Sequence, residues 1–159
     1  MTSTTIKLTP GEELIFDSLP KCKLLLCCGG WVRDKLQGEK ANDLDFVVDR
    51  EGFSLLQIRL LDSIKAQAAS KNWKILNERQ KMLSLDRGVV SGSQLLTVSV
   101  TLFDSDERQR TFDMDFRELR QGTSEHEDVV TRDFTVNSMY FDPRTRHIID
   151  LKTVGYNNC

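Results

Sequence analysis

Asp43 and Asp45, two carboxylates with one residue between them, are the side chains of this sequence best suited to metal chemistry. They begin the segment Asp43–Val48, whose β-branched and aromatic residues predict a strand. Because strand side chains alternate between faces, both carboxylates point the same way. At about 5 Å and an effective dielectric of about 20, their repulsion is about 3 kcal/mol. A divalent cation relieves it, and Mg²⁺ is typically held by carboxylates together with substrate phosphates.

A pair of glycines lies upstream of these carboxylates. Gly29 and Gly30 follow the apolar run 24–28, which predicts a buried strand, and they precede a short predicted helix. Backbone N–H groups at the start of a helix can face a phosphate, and Arg33 lies one turn further on. The pattern therefore indicates an anion cradle. An ordinary strand-to-helix turn, with Arg33 paired to Asp34, fits the same residues.

The remaining periodicities predict a mixed α/β (α+β) domain with a sheet and flanking helices. Helices are predicted over 10–19 and 53–70, a short strand over 73–76, one antiparallel hairpin over 95–102 and 111–119, and a second over 139–141 and 147–149. The first hairpin would carry Asp113 and Asp115 into the sheet. Both have the same strand parity, so either is a candidate third carboxylate, and both are also consistent with solvated positions.

Composition limits the functions open to the chain. With 159 residues, of which 39% are hydrophobic and 29% charged, the sequence suits one domain with a single core. The net charge of -2 argues against a domain that grips an RNA backbone by itself, because such domains are normally basic. Any strong RNA affinity is expected to come from elsewhere.

The cysteines and the N-terminus bear on the cellular compartment. Cys22, Cys27, Cys28 and Cys159 lack C-x-x-C spacing, so reduced thiols are favoured over a zinc site or a disulfide. No apolar run approaches the roughly 18 residues of a membrane span, and residues 1–7 lack the arginine-rich or apolar pattern that is typical of a targeting signal. We expect a cytoplasmic protein without membrane contact, an organelle remaining open.

Three motifs resemble one known family. Residues 29–38 followed by Asp43-Leu44-Asp45 resemble the signature of class II nucleotidyltransferases of the polymerase β superfamily, which include tRNA CCA-adding enzymes and bacterial poly(A) polymerases. Residues 131–139, with the sequence TRDFTVNSM, resemble the family's Arg-Arg-Asp-Phe-Thr-Ile-Asn-Ala-Leu motif. Between them, Asp115 and Arg120 match a third acidic strand in which an acidic residue precedes an arginine by five positions. The resemblance spans residues 9–151, the catalytic head.

The resemblance implies a polymerase β-like head with a mostly antiparallel or mixed central sheet flanked by helices, in a single domain over residues 1–159. It implies that Asp43 and Asp45 are catalytic metal ligands and that Asp115 is a third catalytic carboxylate. The implied nucleotide-binding residues are Gly29, Gly30, Arg33, Arg132, Asp133 and Asn137.

The implied reaction is template-independent transfer of a nucleoside monophosphate to an RNA 3′ hydroxyl, with CCA addition to tRNA as the expected case. ATP and CTP would be the nucleotides and Mg²⁺ the cofactor. Two Mg²⁺ ions about 3.5 to 4 Å apart would activate the hydroxyl and bridge the triphosphate oxygens. Asp115 would orient the metal or help to remove the hydroxyl proton.

The sequence also departs from the family pattern. Thr131 replaces the first arginine, the connection 121–130 is shorter than the family's loop, and 82–110 is longer than a compact hairpin. The sequence ends where a helical neck would begin, so we expect neck, body and tail to be absent from this chain. A missing segment or a protein partner would then supply base choice and RNA binding. Two alternatives stay open, namely a non-catalytic binding or scaffold subunit and a transferase acting on a protein or small molecule.

Overall fold

A sheet of seven strands and three helices makes up the part of the chain that the computed structural model describes, which is residues 6–39, 41, 43–84, 94–104, 108–118 and 139–150. The elements in chain order are α1 (Pro10–Asp17), β1 (Leu25–Cys28), α2 (Gly30–Leu36), β2 (Asp43–Val48), α3 (Arg50–Ser70), β3 (Lys74–Ser84), β4 (Gln94–Phe103), β5 (Gln109–Glu118), β6 (Met139–Asp142) and β7 (His147–Asp150).

The strands are arranged in the order β3-β4-β5-β2-β1-β6-β7. Among the described pairings, β2 and β5 run parallel and all other neighbours run antiparallel. The predicted mixed α/β fold, with a mixed and largely antiparallel sheet, is therefore confirmed. Both predicted hairpins are also confirmed, as β4–β5 and β6–β7.

Local capping sets where two helices begin. Thr9 and Glu12 form the capping box that their spacing predicts, and Pro10 occupies the first turn of α1. Helix α1 ends at Asp17 rather than at residue 19, because Ser18 closes the last turn: its backbone N–H and its hydroxyl both donate to the Leu14 carbonyl. Helix α3 begins before the predicted residue 53, because the Asp49 carboxylate caps it by accepting from the backbone N–H of Gly52 at 3.0 Å.

The core lies between one face of the sheet and the helices. Alternate residues of β2, β4 and β5 are buried on that face, namely Leu44, Phe46, Val48, Leu96, Val98, Val100, Leu102, Phe112, Met114 and Phe116. The buried stripe of α3 belongs to the same cluster and consists of Phe53, Leu56, Leu60, Ile64 and Ala68. Since strand side chains alternate, the residues between these core positions point to the opposite face.

The predicted short strand at 73–76 is wrong in extent. Strand β3 has eleven residues, Lys74–Ser84, and pairs with β4 along its length apart from an irregularity between Ile75 and Asn77. Its sequence is mostly polar, so apolar alternation does not identify it. The edge position explains this composition, because an edge strand has a neighbour on one side only and polar residues protect its free side.

The cysteines within the described residues carry free thiols. Cys27 and Cys28 are buried, and Cys22 is half-buried. Burial raises the pKa of the Cys28 thiol to about 12 and that of Cys22 to about 11, so both remain protonated at neutral pH. Cys159 lies outside the described residues.

Within the described ranges, no helix combines the length and the apolar character that crossing a bilayer requires.

Candidate active site

Four aspartates lie on the sheet face opposite the core, and we refer to them as the acidic face: Asp43, Asp45, Asp113 and Asp115. The parallel register of β2 and β5 places Asp45 opposite Asp115 and Asp43 opposite Asp113. Asp43 and Asp113 are exposed, whereas Asp45 and Asp115 are partly buried. The three predicted catalytic carboxylates, Asp43, Asp45 and Asp115, are thus brought onto adjacent strands of one face.

The electrostatics of Asp45 favour a bound cation. Burial raises the pKa of the Asp45 carboxyl, the charges of Asp115 and Asp43 raise it further, and Arg117 opposes these effects. The ionised form of Asp45 is therefore disfavoured by its surroundings, and a cation beside it would relieve both the desolvation and the repulsion. Hard oxygen ligands of this kind suit a divalent ion such as Mg²⁺.

These carboxylates fit an open metal site rather than a closed protein cage. In the part of the chain that is described, no group of three or more His, Cys, Asp or Glu side chains is arranged to hold a metal ion. Mg²⁺ commonly takes only one or two carboxylates from the protein and completes its coordination with water and substrate phosphates. One or two carboxylates of the acidic face could hold an ion in that mode.

Asp115 and Asp113 each accept a hydrogen bond from a hydroxyl group on β4, and no sequence signal singles out either hydroxyl. Thr97 Oγ1 donates to Asp115 Oδ1 at 3.0 Å, and Ser99 Oγ donates to Asp113 Oδ1 at 2.7 Å. The Thr97 bond holds a partly buried carboxylate that faces Asp45, whereas the Ser99 bond holds an exposed carboxylate. Asp115 is therefore the better placed of the two for a role beside Asp45.

The glycine turn lies against Asp45. Gly29 has φ +76°, a conformation that other residues rarely adopt, and a Cβ there would lie 3.3 Å from Asp45 Oδ2. Strand β1 ends directly before it, with Cys28 opposite Asp45. Gly30 then begins α2. The predicted phosphate-binding turn and the predicted metal ligand are therefore neighbours, which the linear sequence alone did not establish.

Arg33 lies over the same turn. Its Nη2 is 3.4 Å from the position that a Cβ on Gly30 would occupy. The alternative pairing is also present, since Arg33 Nε lies 3.5 Å from Asp34 Oδ1. More than half of the Arg33 side chain is exposed, and exposed ion pairs contribute little to stability. This ion pair therefore does not prevent Arg33 from contacting a phosphate.

A buried network, which was not predicted, attaches α2 to α1. Glu12 is 3% exposed and accepts hydrogen bonds from Trp31 Nε1 at 2.9 Å and Lys35 Nζ at 2.7 Å. Trp31 is 2% exposed, and its ring packs against Phe16 and Phe141. It is a packing residue with no exposed ring face for stacking on a base. The network fixes the helix that follows the glycine turn.

Most of the second motif, residues 131–138, lies outside the described part of the chain. Arg132, Asp133 and Asn137, the remaining predicted nucleotide-binding residues, lie outside the described residues, as does Arg120. Their roles stay predictions.

The chain has recognisable relatives. The sequence profile described as the Poly A polymerase head domain matches residues 25–158. The tRNA nucleotidyltransferase cca2 of Schizosaccharomyces pombe is 30% identical over 138 residues, which cover 82% of this chain and 28% of that protein. Among solved structures, a CCA-adding enzyme with CTP shows 20% identity, 94% and 34% coverage and a TM-score of 0.49. The Thermotoga maritima CCA-adding enzyme complexed with tRNA shows 20% identity, 94% and 33% coverage and a TM-score of 0.47. The chain spans about a third or less of each relative.

Proposed function

Since the chain belongs to the poly(A) polymerase head-domain family, we propose that it is the head of a template-independent nucleotidyltransferase, which transfers a nucleoside monophosphate to an RNA 3′ hydroxyl. The observation that best supports the proposal is the placement of Asp45 between Asp115 and the Gly29 turn. A second carboxylate on one side of Asp45 and a glycine turn that leads into a helix on the other side are what a metal–nucleotide complex requires.

Divalent metal dependence is typical of this family, and we propose Mg²⁺ as the ion. Asp43 and Asp45 would hold it, with Asp115 beside them. When bound, Mg²⁺ would neutralise triphosphate charge and lower the pKa of the attacking hydroxyl. The raised pKa of Asp45 supports the assignment, because a site that disfavours its own ionised carboxylate gains most from a cation.

The chain's own groups would bind and orient the reactants. The turn at Gly29 and Gly30 and the Arg33 guanidinium would bind the terminal phosphates of the triphosphate, which places the α-phosphorus beside Asp45. The acceptor's 3′ oxygen then bonds to the α-phosphorus, and the bond from that phosphorus to the pyrophosphate oxygen breaks. Asp115, held by Thr97, would help to remove the proton of the attacking hydroxyl.

We propose tRNA as the acceptor, CCA addition as the reaction and ATP and CTP as the substrates. The similarity to the tRNA nucleotidyltransferase cca2 of Schizosaccharomyces pombe supports this choice. A single head domain over residues 1–159 is part of the proposal. We also propose that a segment or partner beyond these residues supplies base choice and tRNA binding, because the relatives are about three times as long as the matched region.

The test measures binding of Mg²⁺–ATP and Mg²⁺–CTP together with incorporation of each label into tRNA that lacks its 3′ end. Asp45→Asn should weaken metal-dependent nucleotide binding and lower incorporation at least about a hundredfold. The control Asp62→Asn, which removes an exposed carboxylate from α3, should change neither. A wild-type chain that binds neither nucleotide in Mg²⁺ would overturn the proposal in favour of a scaffold role.

A further inference from the structure

The exposed side of β3 carries cations that the proposed reaction does not use. Arg79 and Lys81 alternate along this edge strand, and both side chains are exposed. None of the ion pairs found among the described residues involves either of them. The nearby Glu78 carboxylate pairs with Lys65 of α3, and Glu78 has the opposite strand parity.

The sheet register connects these cations to the acidic face. Lys81 is opposite Thr97, Thr97 is opposite Asp115, and Asp115 is opposite Asp45. Residues that are opposite one another on neighbouring strands point to the same face. One row across the sheet therefore runs from a cation through a hydroxyl to two carboxylates.

A second row, two residues away along each strand, has the same order of a cation, a hydroxyl and two carboxylates. Arg79 is opposite Ser99, Ser99 is opposite Asp113, and Asp113 is opposite Asp43. Neighbouring strands are about 4.8 Å apart, so each cation lies three strand spacings, or about 14 Å, from β2. That separation keeps the cations from neutralising Asp43 and Asp45, yet it is short enough for one nucleic acid strand to reach both.

The direction of the proposed reaction determines which reactant crosses these rows. The leaving pyrophosphate would lie at the Gly29 turn, on the β1 side of Asp45. In an in-line displacement the attacking oxygen lies on the opposite side of the phosphorus from the leaving group. The acceptor therefore approaches over β5 and β4, from the side on which Arg79 and Lys81 lie.

We infer that Arg79 and Lys81 bind backbone phosphates just upstream of the acceptor's 3′ end, so that the open side of the β3–β4 hairpin is a track for a single RNA strand. The inference rests on the proposed function. Charge favours RNA as the ligand of this surface. Its phosphates are attracted to the cationic edge strand, and its terminal hydroxyl is neutral, so the aspartates of the acidic face do not repel it. The two cations are about 7 Å apart along the strand, which suits successive phosphates of an extended strand.

The contact would be local and modest. Single-stranded binding loses affinity with salt in proportion to the phosphates neutralised, with a log–log slope of about -0.7 for each. Two contacts would thus account for a slope of about -1.4. A track of this strength also suits a chain whose net charge is -2, because it guides the acceptor's end without gripping the whole RNA.

The experiment compares the wild-type chain with Arg79→Gln/Lys81→Gln in binding a labelled single-stranded RNA with a free 3′ hydroxyl, over a series of salt concentrations. Mg²⁺–ATP binding is measured in parallel. We expect the double variant to bind the RNA about tenfold more weakly and to lose about 1.4 of the salt slope, with Mg²⁺–ATP affinity unchanged. The matched control Lys21→Gln/Arg59→Gln removes two exposed charges from the α1–α3 side and should match the wild type.

The outcomes separate the inference from the proposed function. RNA binding that is equal in the wild type and the double variant, or absent from the wild type, overturns the inference whether or not Mg²⁺–ATP binds. Binding of polyglutamate through Arg79 and Lys81 with no binding of RNA overturns it in favour of an acidic protein partner. Loss of Mg²⁺–ATP binding by the wild type overturns the proposed function instead. Because both side chains are exposed, the fold should tolerate the substitutions, and thermal unfolding checks this.

Discussion

Asp115 lies directly opposite Asp45 across the parallel strands β2 and β5, and its charge contributes to the raised pKa of the Asp45 carboxyl. The two residues are adjacent because of strand pairing rather than sequence proximity. The charge of Asp45 therefore lowers the stability of the fold and at the same time favours binding of a cation, and both effects can be measured.

Replacing Asp45 should separate activity from stability. Without metal at pH 7, Asp45→Asn should unfold at a temperature equal to or above that of the wild type, because it removes a partly buried charge and its repulsion with Asp43 and Asp115. Nucleotide incorporation should fall at least about a hundredfold. Scanning calorimetry and the incorporation assay measure the two effects, and a clearly lower Tm would show that the Asp45 charge is stabilising.

The raised pKa of Asp45 also predicts that the free energy of unfolding depends on pH. A carboxyl whose pKa is raised on folding contributes stability that is fully present below its unfolded pKa and is lost as pH rises through its folded pKa. The stability difference between Asp45→Asn and the wild type should thus shrink as pH falls from 7 towards 4. Urea unfolding of both proteins without metal would reveal this, and a difference that widens on acidification would contradict the sign of the shift.

Gly29→Ala should damage the glycine turn. The positive φ strains any side chain, by about 1 to 3 kcal/mol, and the new Cβ would press on Asp45 Oδ2. We expect a loss of stability of that size together with weaker Mg²⁺–ATP binding. Gly38→Ala is a matched control, because Gly38 also has φ +76° but a Cβ there meets nothing within 4 Å. It should lose stability without losing nucleotide affinity, and equal losses of affinity would argue against a role for the Gly29 turn.

The hydroxyls of β4 test which aspartate matters. Thr97→Val leaves Asp115 without its donor and should weaken Mg²⁺–ATP binding about tenfold, whereas Thr97→Ser should restore it. Ser99→Ala removes the equivalent donor from the exposed Asp113 and should have little effect. Titration calorimetry distinguishes the variants. A stronger effect of Ser99→Ala would indicate that Asp113, and not Asp115, is the third catalytic carboxylate.

The buried Glu12 network should dominate the stability of α1 and α2. Glu12→Ala removes the acceptor for Trp31 and Lys35 as well as the capping box, so the free energy of unfolding should fall by about 3 to 5 kcal/mol. Glu13→Ala, at the exposed neighbouring position, should cost less than about 0.5 kcal/mol. Urea unfolding compares the two, and similar values would show that the network contributes little.

The parts of the site that could be predicted from the sequence depend on local patterns. The spacing of Asp43 and Asp45 fixes their shared face, and the alternation along β4 and β5 identifies their hairpin. The capping box at Thr9 and Glu12 is likewise a local signal. Such features follow from the period of a helix or strand, and the structure has them where expected.

The remaining parts depend on pairings between distant segments. Nothing in the residue pattern specifies that β5 pairs with β2, so strand parity could not choose between Asp113 and Asp115, and only the family resemblance singled out Asp115. Thr97 has no distinguishing context as an isolated strand threonine, and the bonds of Glu12 to Trp31 and Lys35 follow from helix packing. Strand β3 was underestimated because its polar composition reflects an edge position that only the sheet order reveals.

The parallel pairing of β2 with β5 also bears on how the protein folds. The segments α3, β3 and β4 lie between these two strands in the sequence, so the chain must close a long loop before Asp45 and Asp115 can meet, whereas the β3–β4 and β4–β5 hairpins close locally. Contacts between distant segments form slowly, since the entropy of closing a long loop must be overcome first. Asp45 and Asp115 should therefore come together late in folding. A nascent or incompletely folded chain would then lack the paired carboxylates and would not bind metal ions at this site.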